Sequence, residues 1–283
     1  MSLQDTKQAI KHQLTSIYDT LELNSIVNML IEEVTGWDAL HQNIHKNDSL
    51  EEAQSNLLDT YVQQLLTGKP IQYIIQKAWF MGQPYLVNEH VLIPRPETEE
   101  LVEWIVSYAA IVNKPLAILD IGTGSGCIPI ALKMALPNAN ISSIDISKAA
   151  IEVAKQNAAT HKTEITFIEQ DILQTKQLQD RYDIIVSNPP YIPNREKGSM
   201  QKQVIEFEPE IALFVSDHFP LLFYSKIAQI GKTALKPNGQ IFFEIHFDQG
   251  DALLKLLDEI GYHAELQQDM YGKDRMVRAS LKS

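Results

Sequence analysis

Cysteine is almost missing from this 283-residue chain: Cys127 is the only one. No intrachain disulfide can form, zinc sites built from several cysteines are excluded, and a cytoplasmic protein is expected. No apolar run approaches the roughly 20 residues that a membrane-spanning helix needs. The start, Met1-Ser2-Leu3-Gln4-Asp5, has no basic stretch followed by an apolar core, so no secretory signal is expected. Positive charge is scarce, and unevenly so. Residues 1–66 hold three lysines (Lys7, Lys11, Lys46), no arginine and ten acids, a net −7 within the chain's −12. A field of that sign repels phosphate backbones and attracts a basic partner, although solubility alone also accounts for any single acid. What is present is ordinary: 45% apolar and 21% charged residues, with no internal repeat and no low-complexity run. The length suits one large domain, or a medium one plus a small one.

Residues 1–67 read as helices. Leu14, Ile17, Tyr18 and Leu21 recur at helical spacing, as do Ile26, Met29, Leu30 and Val34, with Gly36 as a stop. Asp48 or Ser49 is the expected cap of a later helix, which carries Leu57, Leu58, Tyr61, Leu65 and Leu66 and stops at Gly68. Residues 68–97 change character. Ile71, Tyr73 and Ile75 alternate, and Trp79-Phe80-Met81, a Gly82-Gln83-Pro84 turn and Tyr85-Leu86-Val87 predict a hairpin linking two domains. Thr98 is the expected cap of the next helix, with Glu99 and Glu100 favoured in its first turn by the helix dipole.

From 98 to 283 strands and helices alternate. Strands are expected at 116–121, 141–146, 165–168, 183–187 and 240–245, and an antiparallel pair at 262–266 and 276–281. Helices are expected at 128–135, after Ser147, at 221–235 (closed by a Lys236-Pro237-Asn238-Gly239 turn) and at 252–260. Alternation of this kind gives an α/β fold with a mostly parallel, doubly wound sheet. The long, weakly periodic stretch 193–220 predicts a lid or substrate-binding loop.

Three places carry chemistry. Asn188-Pro189-Pro190-Tyr191 follows the apolar run Ile184-Ile185-Val186, which reads as a buried parallel strand. The prolines stop that strand at once, so Asn188 is delivered at its carboxyl end, where open α/β sheets bind ligands. An amide, a stiff prolyl carbonyl and a ring make an acceptor-lined slot that suits a flat NH2 group; a plain turn is the alternative. Asp120-Ile121-Gly122-Thr123-Gly124-Ser125-Gly126-Cys127 sits between the first strand and its helix. A dinucleotide loop needs its third glycine one place later, where Cys127 stands, so the spacing counts against a dinucleotide. Asp145 ends the second strand and is placed to accept from a ribose diol, or else to cap beside Ser147. Asp171 and Ile172 follow the third strand, placed to meet an adenine amino group and ring face, or to be an ordinary loop acid and its neighbour. Together they describe a ligand with a ribose, an adenine and no pyrophosphate, which S-adenosylmethionine fits.

Gly122 to Gly126, Asp145 and Asn188 to Tyr191 resemble the motifs of class I methyltransferases that modify planar exocyclic or amide nitrogens. Over nearly all of residues 60–283 the chain resembles the HemK-type (PrmC-like) release-factor glutamine N5-methyltransferases. The resemblance rests on Gly68-Lys69-Pro70-Ile71-Gln72-Tyr73-Ile74, Val91-Leu92-Ile93-Pro94-Arg95-Pro96-Glu97-Thr98-Glu99, residues 120–128, Ser187-Asn188-Pro189-Pro190-Tyr191-Ile192 and Phe207-Glu208-Pro209-Glu210-Ile211-Ala212-Leu213. It departs at Ile75 and His246, where the family tends to have glycine, and at Ser216-Asp217-His218-Phe219. A strand-end role is expected of His246 rather than one as a general base.

The resemblance implies a Rossmann-like, seven-stranded, doubly wound sheet with an N-terminal helical bundle. The expected division is a helical docking domain at 1–67, a hairpin linker at 68–97 and a methyltransferase domain at 98–283. The implied cofactor is S-adenosylmethionine, with no metal. Asp120, Gly122, Thr123, Gly124, Ser125, Gly126, Asp145, Asp171, Ile172 and Asn188 would hold it. Asn188 and Pro189 would grip the reacting nitrogen, and Pro190 and Tyr191 would complete the glutamine pocket; Arg95, Glu97 and Thr98 would border the cofactor. The implied substrate is the glutamine of the Gly-Gly-Gln loop in class 1 peptide-chain release factors, methylated by a monomeric enzyme with no membrane partner. Two other readings remain open at this point: a nucleic-acid amino-methyltransferase acting on adenine, cytosine or guanine, and a nucleotide-binding module without catalysis. A basic groove should accompany the first of these.

Overall fold

The structure, a computed structural model, describes residues 1–112 and 114–282. The chain divides into two compact units: Met1–Lys77 with Gln201–Phe207, and Ala78–Met200 with Glu208–Ser283.

The first unit is helical: α1 (Leu3–Leu14), α2 (Thr20–Thr35), α3 (Ala39–Ile44), α4 (Glu52–Leu66) and a single turn, α5 (Ile71–Ile74). Local chemistry sets the boundaries. Asp19 accepts from the backbone N–H groups of Leu21 and Glu22 and starts α2 afresh, so the 14–21 periodicity spans two helices and the bend between them. Gly36 ends α2 at φ +73°. The cap of α4 is Glu51, not Asp48 or Ser49. Asp48 instead holds His45 Nδ1 at 2.6 Å, and Ser49 bridges to Ser2. The expected strand at 71–75 is a helical turn, because Pro70 O accepts from Tyr73 and Ile74 and Ile71 O from Ile75. Ile71, Ile74 and Ile75 also satisfy the i, i+3, i+4 pattern, and burial against α2 and α4 decides between the two periods.

A hairpin follows, β1 (Lys77–Phe80) and β2 (Gln83–Leu86), all of it but Lys77 in the second unit. Its turn is Met81-Gly82, both at positive φ (50° and 70°), rather than 82–84. Such a primed two-residue turn matches the twist of the strands it joins. Then follow α6 (Pro96–Val112), β3 (Ala117–Ile121), α7 (Cys127–Ala135), β4 (Asn140–Asp145), α8 (Lys148–Thr160), β5 (Thr166–Glu169) and β6 (Tyr182–Ser187). The 193–220 stretch is built of short pieces: β7 (Ile192–Pro193), a 3-10 turn (Asn194–Ser199), α9 (Lys202–Phe207), α10 (Glu210–Leu213) and β8 (Phe214–Val215), which pairs with β7. Finally come α11 (Leu222–Ala234), β9 (Leu235–Glu244), α12 (Gly250–Ile260), β10 (Tyr262–Gln268) and β11 (Asp274–Leu281).

Seven strands form one sheet in the order β10-β11-β9-β6-β3-β4-β5. The run from β9 to β5 is parallel, and β11 is antiparallel to both of its neighbours. Alternate residues of the central strands feed two cores. Leu119, Ile121, Ile185, Ile241 and Phe243 pack with α11 and α12, while Ile118, Ile184, Val186 and Phe242 pack with α6 and α7. Burial on both faces is why these strands read as unbroken apolar runs. The Lys236-Pro237-Asn238-Gly239 turn lies inside β9, because pairing to β6 occurs on both sides of it, at Tyr182↔Leu235 and Ile184↔Gln240. No helix among the described residues is long and apolar enough to cross a membrane.

Candidate active site

The chain builds β3, β4 and β5 outward in one direction, then returns to lay β6 on the other side of β3. That reversal opens a crevice at the carboxyl ends of β3 and β6. The glycine loop leaves β3 there, Asn188 leaves β6 there, and the Ser187 hydroxyl donates to Ile121 O at 2.7 Å across the seam. A cavity of about 250 Å³ occupies the crevice.

Its lining includes Gly122, Thr123, Gly124, Ser125, Asp145, Asp171, Ile172, Asn188, Pro189 and Pro190, together with Arg95 and Thr98. Asp120, Gly126, Glu97 and Tyr191 are not among the lining residues. Asp120 is fully buried beneath the loop, accepting from Ser143 Oγ at 2.6 Å. Burial pushes its carboxyl up to about 8, with the Ser143 hydroxyl opposing and the nearby Asp145 charge adding to the rise. Gly126 sits at φ +80°, and a Cβ there would lie 3.0 Å from Ala154 Cβ and 3.1 Å from Ile130 Cδ1. Its lack of a side chain therefore serves the packing of α7 on α8. Asn157 of α8 fastens the loop and hairpin together: its Nδ2 donates to Ser125 O and Leu86 O, and its Oδ1 accepts from Leu86 N.

Asp145 accepts from Gly124 N at 3.0 Å and from Ser147 N at 2.8 Å, one bond to each oxygen. Burial raises its carboxyl above the usual range, against the pull of those amides. A carboxylate offers about four lone-pair sites, so acceptor capacity for a diol remains. Asp171 uses Oδ1 to hold Leu173 N at 2.8 Å, and Ile172 is buried beside it. Hydrogen-bonding capacity at Asp145 and Asp171, an apolar wall at Ile172 and a loop without Cβ atoms at Gly122 and Gly124 fit an adenosine carrying a short polar tail.

Behind the cavity lies a group that sequence reasoning missed. Thr98 is not a cap: it sits in the first turn of α6, which Pro96 begins, and its Oγ1 donates to Glu244 Oε2 at 2.6 Å. Asn188 Nδ2 donates to Thr98 Oγ1 at 3.2 Å, and the Tyr191 hydroxyl donates to Glu244 Oε1 at 3.2 Å. Glu244 is only 1% exposed. Burial raises its carboxyl above the usual range; the Thr98 bond, the Arg275 charge and the Tyr191 bond pull the other way. One signal was available, an acid closing the apolar run Ile241-Phe242-Phe243. Burial, and next the Glu244 charge, push the Tyr191 hydroxyl well above its ordinary value. Nearby, Glu208 binds the pocket-lining Arg95 and also accepts from Ile93 N. His246 ends up between two carboxylates, Asp248 at Nδ1 and Glu196 at 3.4 Å from Nε2, its ring 5.9 Å from that of Tyr191.

The strand order and the glycine-walled crevice at its switch point are those of a class I methyltransferase. The model for the methyltransferase small domain matches residues 108–208, and that for the PrmC N-terminal domain matches residues 8–75. Two solved structures share the fold. A ribosomal protein L11 methylase from Lactobacillus delbrueckii subsp. bulgaricus is 20% identical with a TM-score of 0.50, over 70% of this chain and 84% of that one. A methyltransferase from Pyrococcus furiosus is 15% identical with a TM-score of 0.52, over 80% and 99%.

The sequence relatives are nearer. A release factor glutamine methyltransferase of Flavobacterium psychrophilum is 42% identical over 285 aligned positions, covering 100% of both chains. Another, from Bacteroides thetaiotaomicron, is 38% identical over 96% of this chain and 97% of its own. The chain belongs to the release factor glutamine methyltransferase family.

Proposed function

We propose that this protein transfers a methyl group from S-adenosylmethionine to the side-chain amide nitrogen of the glutamine in the Gly-Gly-Gln loop of class 1 release factors. The observation that carries the reading is the placement of Asn188-Pro189-Pro190 on the wall of the crevice that the glycine loop and Asp145 also line. Gly122 to Ser125 and Asp145 would hold the methionine and ribose portions, and Asp171 and Ile172 the adenine. When bound, that cofactor supplies an electrophilic methyl group on a sulfonium.

The residues of the chain do the positioning. An amide nitrogen has its lone pair tied into the carbonyl, and breaking that conjugation costs on the order of 18–20 kcal/mol, judged from the rotation barrier. Neutral hydrogen bonds contribute only about 0.5–1.5 kcal/mol net each. The Asn188 Oδ1 and Pro189 carbonyl acceptors therefore do not free the lone pair beforehand. They hold the two N–H bonds so that the nitrogen rehybridises only as it attacks. Alignment of two bound reactants supplies roughly 7–11 kcal/mol of the barrier. No strong base is required, because the amide is a strong acid once methylated on nitrogen.

The acidic 1–66 segment supports a protein substrate over a nucleic acid, whose phosphates it would repel. The test is incubation with methyl-labelled S-adenosylmethionine and, in parallel, release factor, RNA or DNA. Label is expected on the release factor alone. Label on a nucleic acid would replace this reading with the amino-methyltransferase one, and label on nothing would leave only a binding module.

A further inference from the structure

The carboxamide of Asn188 has two ends of opposite character, and the proposed reaction can use only one of them. A substrate NH2 needs an acceptor, so Oδ1 must face it; an amide turned by half a rotation would present its own NH2 and repel it. The hydrogen bonds behind the cavity decide the matter. Glu244, when ionised, has only lone pairs to offer. Two hydroxyl groups point at it, Thr98 Oγ1 on Oε2 at 2.6 Å and Tyr191 Oη on Oε1 at 3.2 Å. Thr98 thereby commits its single proton to Glu244. What remains on Thr98 Oγ1 is acceptor capacity, and the group beside it at 3.2 Å is Asn188 Nδ2. The amide is planar, so fixing Nδ2 against Thr98 fixes Oδ1 on the opposite side.

The anchors of these hydrogen bonds are buried in regular elements. Thr98 is 3% exposed in the first turn of α6, and Glu244 is the last residue of a central strand. Tyr224 on α11 adds a bond from its hydroxyl to Glu244 O at 3.1 Å. Arg275 donates to Ile245 O at 3.2 Å, and its positive charge favours the ionised carboxylate of Glu244.

We infer that Thr98 and Glu244 are positioning residues for methyl transfer, pinning the Asn188 carboxamide so that its oxygen, and not its NH2, meets the substrate nitrogen. The inference rests on the proposed amide-methylating reaction, and it extends the working part of the site from the cavity wall into the buried end of β9. It also gives the Tyr191 hydroxyl a task apart from lining a pocket: it supplies the second donor that keeps Glu244 an acceptor.

The test compares Thr98→Val, which keeps the shape and removes the hydroxyl, with Thr98→Ser, which restores it. With release factor and S-adenosylmethionine, Thr98→Val is expected to lower kcat on the order of 10²-fold, the scale of a misaligned reacting group, with KM for release factor within about threefold. A thermal melt close to that of the wild type shows that the variant is folded, and Thr98→Ser recovers kcat to within about tenfold. A second readout needs no substrate. In protein labelled with nitrogen-15 at asparagine, the Asn188 side-chain NH2 pair, assigned by its loss in Asn188→Asp, should shift in Thr98→Val and return in Thr98→Ser. An unchanged NH2 pair, or an undiminished kcat in Thr98→Val, overturns the pin. A wild-type protein that labels no release factor overturns the reaction instead, and the NMR comparison still decides whether Thr98 holds the amide.

Discussion

Asp120→Asn is expected to make the protein more stable at alkaline pH while leaving its stability near pH 5 almost unchanged. Asp120 is fully buried, and its Oδ1 has no hydrogen-bond partner among the described residues. Burial sets its folded-state pKa at about 8, against a reference of 3.8. The folded chain therefore holds one more proton than the unfolded chain between those two values. Stability from this group is complete below the unfolded value and is lost as pH rises through the folded one. Each pH unit in the window costs about 1.4 kcal/mol. Between pH 5 and pH 8 the loss is about 3–4 kcal/mol, slightly below three full units because the curve levels near its upper end. Asparagine keeps the shape, still accepts from Ser143 and carries no charge, so its stability should not follow that slope. For a unit of this size the difference corresponds to about 6–15 °C in melting temperature at pH 8. Calorimetric or denaturant melts of both proteins at pH 5, 6.5 and 8 measure it directly. Curves that run parallel across that range would refute the assignment of the raised carboxyl to Asp120.

Three further outcomes follow from the site. Asn188→Ala should abolish methyl transfer yet leave most of the affinity for S-adenosylmethionine, as read by turnover and calorimetry side by side; near-normal turnover would remove Asn188 from the mechanism. Asp145→Ala should do the reverse and raise the cofactor dissociation constant most, so an unchanged titration counts against a ribose contact. Gly126→Ala should destabilise by about 2–4 kcal/mol, combining left-handed backbone strain with overpacking against Ala154 and Ile130. A melt equal to wild type would show that α7 and α8 have slack at this point.

How much was legible depends on the range of the physics involved. The parallel strands were visible because burial on both faces forces continuous apolar runs, and Ile184-Ile185-Val186 is such a run. The ends of β3 and β6 were visible because glycine accepts the positive φ that Gly122 adopts and other residues resist, and because Pro189 has no N–H to carry a strand on. Short segments were not, since Ile71, Tyr73, Ile74 and Ile75 fit a strand and a helix equally well until the neighbours are known. Thr98 is the instructive miss. Locally it has the makings of a helix cap, and the preference is real. Its partner, Glu244, lies 146 residues away, and no local pattern announces a bond of that span. The same holds for Asn157, which reaches Leu86 across 71 residues.

The membership of α9 in the helical unit has a consequence for the order in which the protein is made. A ribosome working from the N-terminus completes α1 to α5, then β3, β4, β5 and β6, before it reaches Gln201–Phe207. Until then the small unit lacks its final piece, the segment whose Phe207 ring lies beside Gly68. Shortening the gene at the boundary after residue 77 therefore yields two incomplete products: a bundle short of one helix, and a sheet domain trailing a helix that belongs elsewhere.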